Sequence, residues 1–556
     1  MSRRECSALT GRPEAHRLPS MDTDTIIIVT VTGNGPSAMI LSFILHGHVP
    51  YYFPNPPHPD PLLHAKLKDH PALLDADVDA LTEHFAASRL SYSTQALPVN
   101  VLFDTLFRPS IDVEELGSVS NIEWRYVPEK AVPHLVFGNA PRPGGQWTEN
   151  LVPASWEIQT LSYASMLSLP GYSFAEHYRT VTGKDLPAFT RPSRQETAEY
   201  FRMYPEAVGI ADVFKSNETL AGISRTENGF FIESHNINCK NLVLASGIFS
   251  EVIQPRPLLQ PLLSLQPVPD IPLLIIGSGF SAADVIISAP TDQRIIHVFK
   301  WDPESRPSPL RGCHQQAYPE YAGVYRLMKR AAVAAAPTNH KRPARMKRTT
   351  SSPFLESRAW DEVYEGYPNT EIIGVDMKKE FATVTFRRTD GTIFSRPVRG
   401  MVYATGRRGS LGYLERGLLS EIVGCDDKGD VSPTVSGQTL RHKAFENMEI
   451  ANNVFIVGSL TGDTLIRFAH GSCAQTAGKL IRTYTGENNA KSNAAASPRP
   501  QGSSPGVMQG FDGHDVYGNG NHRAQLDKID SCRTEYPMPE KSGLLGSIWK
   551  ALTAIW

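Results

Sequence analysis

Two short glycine turns, each entered from an apolar run and each followed by a helical pattern, constrain this chain more than any other feature. The first is Gly33-Asn34-Gly35-Pro36-Ser37-Ala38, after the run Ile26 to Val31; the second is Gly277-Ser278-Gly279-Phe280-Ser281-Ala282, after Leu273 to Ile276. A strand that ends in Gly-x-Gly turns tightly and lets its backbone approach a bulky anion. That anion then rests on the free amides of the helix's first turn. Alanine in the third position (Ala38 and Ala282) keeps the helix close to its strand. One such turn punctuates many ordinary strand–helix units. Two in matching context predict two dinucleotide sites, with hydride passing between them.

A chain of 556 residues exceeds one compact core and suits two or three domains. Its formal net charge of -2 provides no global attraction for nucleic acid or an anionic membrane. Cys6, Cys239, Cys313, Cys425, Cys473 and Cys532 are scattered, without a CxxC pair or metal-ligand spacing. This predicts structural thiols in a reducing, cytoplasmic setting and no metal site. It also argues against a flavin–disulfide reductase, which needs a close redox pair. No apolar stretch reaches the roughly 20 residues of a membrane span, and residues 1–24 lack the apolar core of a secretory signal and read as a disordered leader, with a mitochondrial transit peptide as the alternative.

Along the chain, ordered structure is expected from residue 25, with Val49 to Phe53 as a second strand and residues 54–132 as an insertion. Ser193 and Glu196 form a capping-box pattern at the head of a helix. Strands are expected at Phe230 to Ile232, Asn241 to Ala245, Ile295 to Phe299, Val384 to Phe386, Gly400 to Ala404 and Asn453 to Val457. A final helix runs from about Ala469 to Tyr484. A basic stretch around 329–353, including Lys341, Arg342, Arg345, Lys347 and Arg348, reads as a solvated loop. Residues 487–540 have the Asn, Ser, Pro and Gly composition of a segment without a core. In 541–556, Leu544, Leu545, Ile548, Trp549, Leu552, Ile555 and Trp556 recur at helical spacing. Such an amphipathic helix docks on the body, or makes a peripheral membrane or protein contact.

The order of motifs carries further information. A Gly144-Gly145-Gln146-Trp147 turn follows the first fingerprint; then come a strand ending Ala245-Ser246-Gly247, the second fingerprint, a strand ending Ala404-Thr405-Gly406, and Gly462-Asp463. The stretches HPDPLL (His58 to Leu63), LFDTLFRP (Leu102 to Pro109), AVPHLVFGNAPRPGGQW (Ala131 to Trp147), LLIIGSGFSAAD (Leu273 to Asp284), YPEY (Tyr318 to Tyr321) and VGSLTGDTLIRFAHG (Val457 to Gly471) are distinctive. Together they resemble the oxidative-stress-induced growth inhibitor family, which is related to flavin-containing monooxygenases and to N-hydroxylating ornithine and lysine monooxygenases. The resemblance spans about Ile26 to Thr485.

It implies an α/β flavoprotein with two dinucleotide-binding domains, in which a Rossmann-like NADPH domain (266–395) is inserted into an FAD domain (25–265 and 396–486). By the same resemblance Gly33, Gly35, Pro36, Ser37 and Ala38 meet the FAD pyrophosphate, Gly144, Gly145 and Trp147 lie beside the flavin, and Gly462 and Asp463 meet its ribityl and phosphate end. Gly277, Gly279, Ser281 and Ala282 match the nicotinamide-nucleotide turn. Lys300, at the end of the next strand and with Arg306 just beyond, favours the 2′-phosphate of NADPH, although Asp302 is close by. The implied reaction is an NADPH-consuming monooxygenation of a small molecule with O2 by way of a C4a-hydroperoxyflavin. The alternatives are an uncoupled NADPH oxidase and a non-catalytic flavin-binding stress regulator. No protein group with a catalytic role is identified, and neither the substrate nor the oligomeric state follows. The chain departs from the pattern twice. Pro54 and Asn55 stand where an acid for the FAD ribose is usual after Phe53, and no FxGxxxH signature occurs between Gly247 and Leu273.

Overall fold

The computed structural model describes residues 27–90, 92–109, 119–149, 152–336, 353–426 and 428–495. The leader 1–24, the core of the basic stretch (337–352) and the C-terminal amphipathic segment 541–556 lie outside the described residues. So does all of the Asn/Ser/Pro/Gly-rich tail beyond residue 495.

The chain begins with β1 (Ile27–Thr32), the first glycine turn and α1 (Pro36–Leu45). Pro36 fits the first helical position because its missing N–H would have no intrahelical partner there. From Ala38 to Leu45 every residue of α1 is buried, so tertiary packing rather than amphipathicity holds this helix. An excursion follows, through β2 (His48–Tyr52), α2 (Pro98–Phe107) and β3 (Ile122–Tyr126), before β4 (His134–Gly138). Next come α3 (Arg194–Ala207), β5 (Phe214–Ser216) and β6 (Ile237–Leu244). The capping box at Ser193 and Glu196 forms at the head of α3, with the hydroxyl and the carboxylate each accepting the other's backbone N–H.

A second unit starts with β7 (Leu273–Ile276), α4 (Phe280–Ser288), β8 (Ile295–Phe299), α5 (Pro319–Ala335) and β9 (Tyr364–Pro368), and closes with β10 (Met401–Tyr403). A three-stranded antiparallel sheet, Glu371–Met377, Ala382–Arg387 and Ile393–Val398, sits between β9 and β10 in the chain. The described chain ends with β11 (Glu449–Ala451), β12 (Val454–Ile456) and α6 (Ala469–Ala495).

The strands assemble into two principal sheets. The first has the order β11-β12-β6-β1-β4-β5, with the hairpin Ile223–Thr226/Gly229–Ile232 added beside β6. The second has the order β9-β8-β7-β10 and is parallel throughout. In each sheet the strand that precedes a glycine turn lies inside, flanked by parallel neighbours, and its side chains are buried on both faces. That arrangement opens a crevice at the carboxyl end of the inner strand.

Two sequence expectations change. Val49 to Phe53 does form most of a strand, but β2 pairs antiparallel with β3 in a separate two-stranded ribbon, and the strand beside β1 is β4. The Pro and Tyr residues of β2 do not supply the continuous apolar run of a central parallel strand, whereas His134–Gly138 is buried at every position. The excursion therefore begins directly after α1. In addition, β10 pairs with β7, so the second unit extends past the expected boundary at 395. Among the described residues no helix is long and apolar enough to cross a membrane.

Candidate functional site

Gly33 has φ +105°, and a Cβ there would lie 2.5 Å from the carbonyl oxygen of Ala245. Its N–H donates to Phe137 O at 2.6 Å. The turn is thus pinned between β4 and the Ala-Ser-Gly end of β6, and only glycine fits. Gly35 caps α1 with no side-chain hydrogen bond to the first-turn amides, and a Cβ there would meet only Gly145 Cα, at 4.0 Å. Those amides remain available to an anion.

Asn34 lies between the two glycines and is buried. Its Nδ2 donates to Ala140 O (3.1 Å), Arg142 O (3.2 Å) and Ser216 Oγ (3.3 Å), while its own carbonyl accepts from Gly144 N at 2.8 Å. This residue joins the first turn to the GGxW turn. Gly144 and Gly145 both have positive φ, and a Cβ on Gly145 would come 3.1 Å from Gly35 Cα, so the two turns touch backbone to backbone. Trp147 packs against Phe201 at a ring separation of 5.8 Å.

The second turn repeats the first construction. Gly277 has φ +148°, and a Cβ there would lie 2.2 Å from the carbonyl oxygen of Ala404, at the Ala-Thr-Gly end that follows β10. His297 Nε2 donates to Gly277 O at 2.7 Å, and Ser308 Oγ donates to Ser278 O at 2.6 Å. Gly279 caps α4 without a side-chain partner, and Ala282 is buried against Gly277. Lys300 stands exposed directly after β8, away from the main cavity.

Gly462 has φ +92°, and Asp463 after it is buried. The Asp463 carboxylate is already engaged: Oδ2 accepts from Leu97 N (2.8 Å) and Asn100 Nδ2 (2.7 Å), and Oδ1 pairs with Arg441 at 2.9 Å. It caps α2 from a distant part of the chain. Near it, buried Asp104 holds Arg108 through Oδ1 and Arg467 through Oδ2. Those two guanidiniums hold the Asp104 carboxyl below its usual range against the opposing effect of burial, which is the larger single influence. His470 is buried beside them, stacked on Phe107, and burial lowers its pKa to about 3.

These elements surround one cavity of about 1340 Å³, larger than the roughly 300–1,000 Å³ of ordinary ligand pockets. Thr32 to Ser37, Gly145, Gln146, Trp147, Gly458, Ser459 and Asp463 line it. The second unit contributes Phe280, Ser281, Asp284 and Tyr321. Both sheet-to-sheet crossings contribute too, with Ser246 and Gly247 on one and Arg407 and Ser410 on the other. Gly144, Gly277, Gly279, Ala282, Gly462 and Lys300 do not face this cavity; the glycines and Ala282 shape its walls from behind.

Sequence reasoning missed Asn34, Tyr413, Asp284, Arg194 and Arg407. Tyr413 OH bridges Ser246 Oγ (2.9 Å) and Thr32 Oγ1 (3.2 Å), tying the ends of β6 and β1. Asp284 accepts from Tyr321 OH at 2.8 Å, and burial raises its pKa to about 6. Its place one turn into the helix after a fingerprint was the available signal.

No family model matches the chain. It is 25% identical over 511 residues to oxidative stress-induced growth inhibitor 1 of Mus musculus, covering 82% of this chain and 95% of that protein. With oxidative stress-induced growth inhibitor 2 of Homo sapiens it shares 25% identity over 516 residues, covering 81% and 92%. The chain resembles the oxidative stress-induced growth inhibitors. Among solved structures, a flavin-containing monooxygenase from Stenotrophomonas maltophilia aligns at 14% identity and TM-score 0.43, over 82% of this chain and 98% of that one. An ornithine N-hydroxylase from Kutzneria sp. 744 aligns at 12% identity and TM-score 0.41, over 84% and 100%. Bacillithiol disulfide reductase from Bacillus cereus aligns at 12% and 0.41, over 82% and 99%.

Proposed function

We propose that this chain is an FAD-dependent, NADPH-consuming monooxygenase acting on a small molecule with O2. The observation that carries the reading is one continuous cavity, lined by Gly33 to Ser37 of the first glycine turn and by the start of the helix after the second. Two dinucleotides seated on these turns would meet inside it. The cradle fits such groups: Gly33 and Gly277 leave no room for a side chain, and Gly35 and Gly279 leave open space before uncapped helix ends.

In this reading the FAD domain comprises 25–265 and the segment after β10 up to 486, and the NADPH domain lies inserted between them. Gly33, Gly35, Pro36 and Ser37 on the cavity wall, with Ala38 buried behind them, receive the FAD pyrophosphate, and Gly145 with Trp147 borders the flavin. Gly277, Gly279, Ser281 and Ala282 receive the nicotinamide nucleotide, and Lys300 its 2′-phosphate. Asp463 acts indirectly, by holding α2 against the cavity wall. When bound, the flavin supplies hydride acceptance and oxygen activation. The protein's part is orientation and exclusion of water by the apolar wall of Val152, Ile158, Leu161 and Phe280.

Anaerobic titration of the FAD-loaded protein with NADPH, followed by oxygen, tests this. Bleaching of the visible flavin band, then oxygen uptake with an oxygenated product, is the expected result. Stoichiometric hydrogen peroxide in the presence of candidate amines, thioethers and ketones would make the protein an oxidase. A flavin that NADPH cannot reduce would make it a regulator.

A further inference from the structure

Four arginines line the cavity: Arg108, Arg179, Arg194 and Arg407. Two of them have anionic partners within the fold, Arg108 with Asp104 and Arg179 with Asp185. The other two do not. Arg194, the first residue of α3, donates Nη2 to the neutral carbonyls of Gln146 and Glu149, and its Nε is buried without a partner. The Arg407 guanidinium makes no hydrogen bond or ion pair among the described residues, although the residue is half-buried. Both line the same cavity; the Arg407 charge opposes that of Arg194, and the Asp284 carboxylate favours both.

Two like charges on one half-buried cavity wall are unfavourable unless an anion joins them, and a single shared carboxylate leaves one positive charge uncompensated. Their positions add direction. Arg194 stands behind the GGxW turn, Arg407 follows Ala404-Thr405-Gly406 at the crossing from the second sheet, and Asp284 lies one turn into α4. Phe280 and Ser281, at the start of that helix, line the same cavity as the arginines. The other acids on the cavity wall are Glu149, Asp185, Glu218, Glu251 and Asp463. Asp185, Glu218 and Asp463 already have cationic or histidine partners.

We propose that Arg194 and Arg407 form an oxyanion-binding pair in the cavity, receiving a phosphate or carboxylate group beside the second glycine turn. The phosphate source rests on the reading that this turn binds NADPH; the carboxylate source, an acidic substrate, does not. The guanidiniums offer fixed forks of N–H donors that match either group.

Calorimetric titration of the FAD-loaded full chain with NADP+, inorganic pyrophosphate and octanoate tests the pair, using Arg407→Gln, Arg194→Gln and the charge-retaining Arg407→Lys. Each Gln variant is expected to weaken at least one probe by roughly tenfold to a hundredfold, with Arg407→Lys in between. Joint loss of NADP+ and pyrophosphate assigns the site to the nucleotide, and loss of octanoate alone assigns it to an acidic substrate. Because the pair repels when empty, Arg407→Gln is also expected to raise the melting temperature of the ligand-free protein. The proposal is overturned if every probe binds both Gln variants within about twofold of the parent, if no probe binds the parent, or if that melting temperature falls. A parent that NADPH fails to reduce, but whose octanoate binding depends on Arg407, would overturn the proposed function and leave the anion site standing.

Discussion

The two glycine turns share a plan and differ in how they are anchored. In both, the first glycine lies against the carbonyl of an alanine that ends the neighbouring strand, Ala245 for one and Ala404 for the other. The first turn is then tied down from several directions: Asn34 reaches three acceptors, Gly33 reaches β4, and Tyr413 bridges the adjoining strand ends. The second is held by His297, by Ser308 and by the bond from Gly277 N–H to Val298 O of β8, all within the same unit. Dense long-range anchoring suits a site that keeps its ligand through every cycle. Local anchoring suits one that must load and release.

Substitution at the two glycines should separate these roles most sharply. Gly33→Val drives a side chain into the Ala245 carbonyl, so flavin binding and much of the soluble yield should be lost. Gly277→Val should abolish NADPH reduction while bound flavin persists, as read by absorbance and stopped flow. If both variants lose flavin equally, the contrast fails.

Asp104→Ala is next in size. It leaves Arg108 and Arg467 buried beside each other, and should cost about 3–5 kcal/mol in urea unfolding. Asp284→Asn should act chiefly on the pH profile. The folded-state pKa of Asp284, about 6, lies above its unfolded value, so ionising it opposes folding. The parent's stability advantage is full below about pH 4, is lost as pH rises through 6, and amounts to about 3 kcal/mol. The difference in melting temperature between parent and variant should therefore change across that window and be flat above it. The buried histidines cancel in this difference. His134 and His470, whose pKa burial lowers to about 3, instead weaken both proteins as pH falls below their unfolded value.

Asn34→Ala removes the anchor that the second turn lacks, and should accelerate flavin loss at a stability cost of about 1–3 kcal/mol. Ser308→Ala, its counterpart, should do less. The smallest effect is expected from Lys300→Glu: unchanged flavin content and a shift in preference from NADPH towards NADH, measured as the ratio of the two kcat/KM values. An unchanged ratio would remove Lys300 from the 2′-phosphate site.

Much of this frame was legible because it is written locally. A glycine turn, its strand and its helix occupy a dozen or so neighbouring residues, and the Ser193–Glu196 capping box spans a single helical turn. The Ala-(Ser/Thr)-Gly strand ends were legible as a repeated motif, and the structure puts each against the glycine it accompanies. The pairing of β2 away from the first sheet was not, since a short run such as His48–Tyr52 fits either arrangement and only its partner decides. Nor could spacing reveal that Asp463 serves Leu97 and Asn100, or that Arg407 and Arg194 line one cavity. Each of those arrangements brings together segments that nothing in the intervening sequence relates.

The Asp463 cap has a consequence for how the chain is made. Leu97 and Asn100 emerge from the ribosome long before Asp463, and β6 too waits, for a shorter stretch, for β12. The second sheet, whose pairings all fall within its own stretch of chain, can assemble in the meantime. During synthesis the first unit must remain open around an already folded insert. Truncation anywhere before α6 would leave a half-built cradle with its apolar helix α1 uncovered, a natural target for chaperones and proteases.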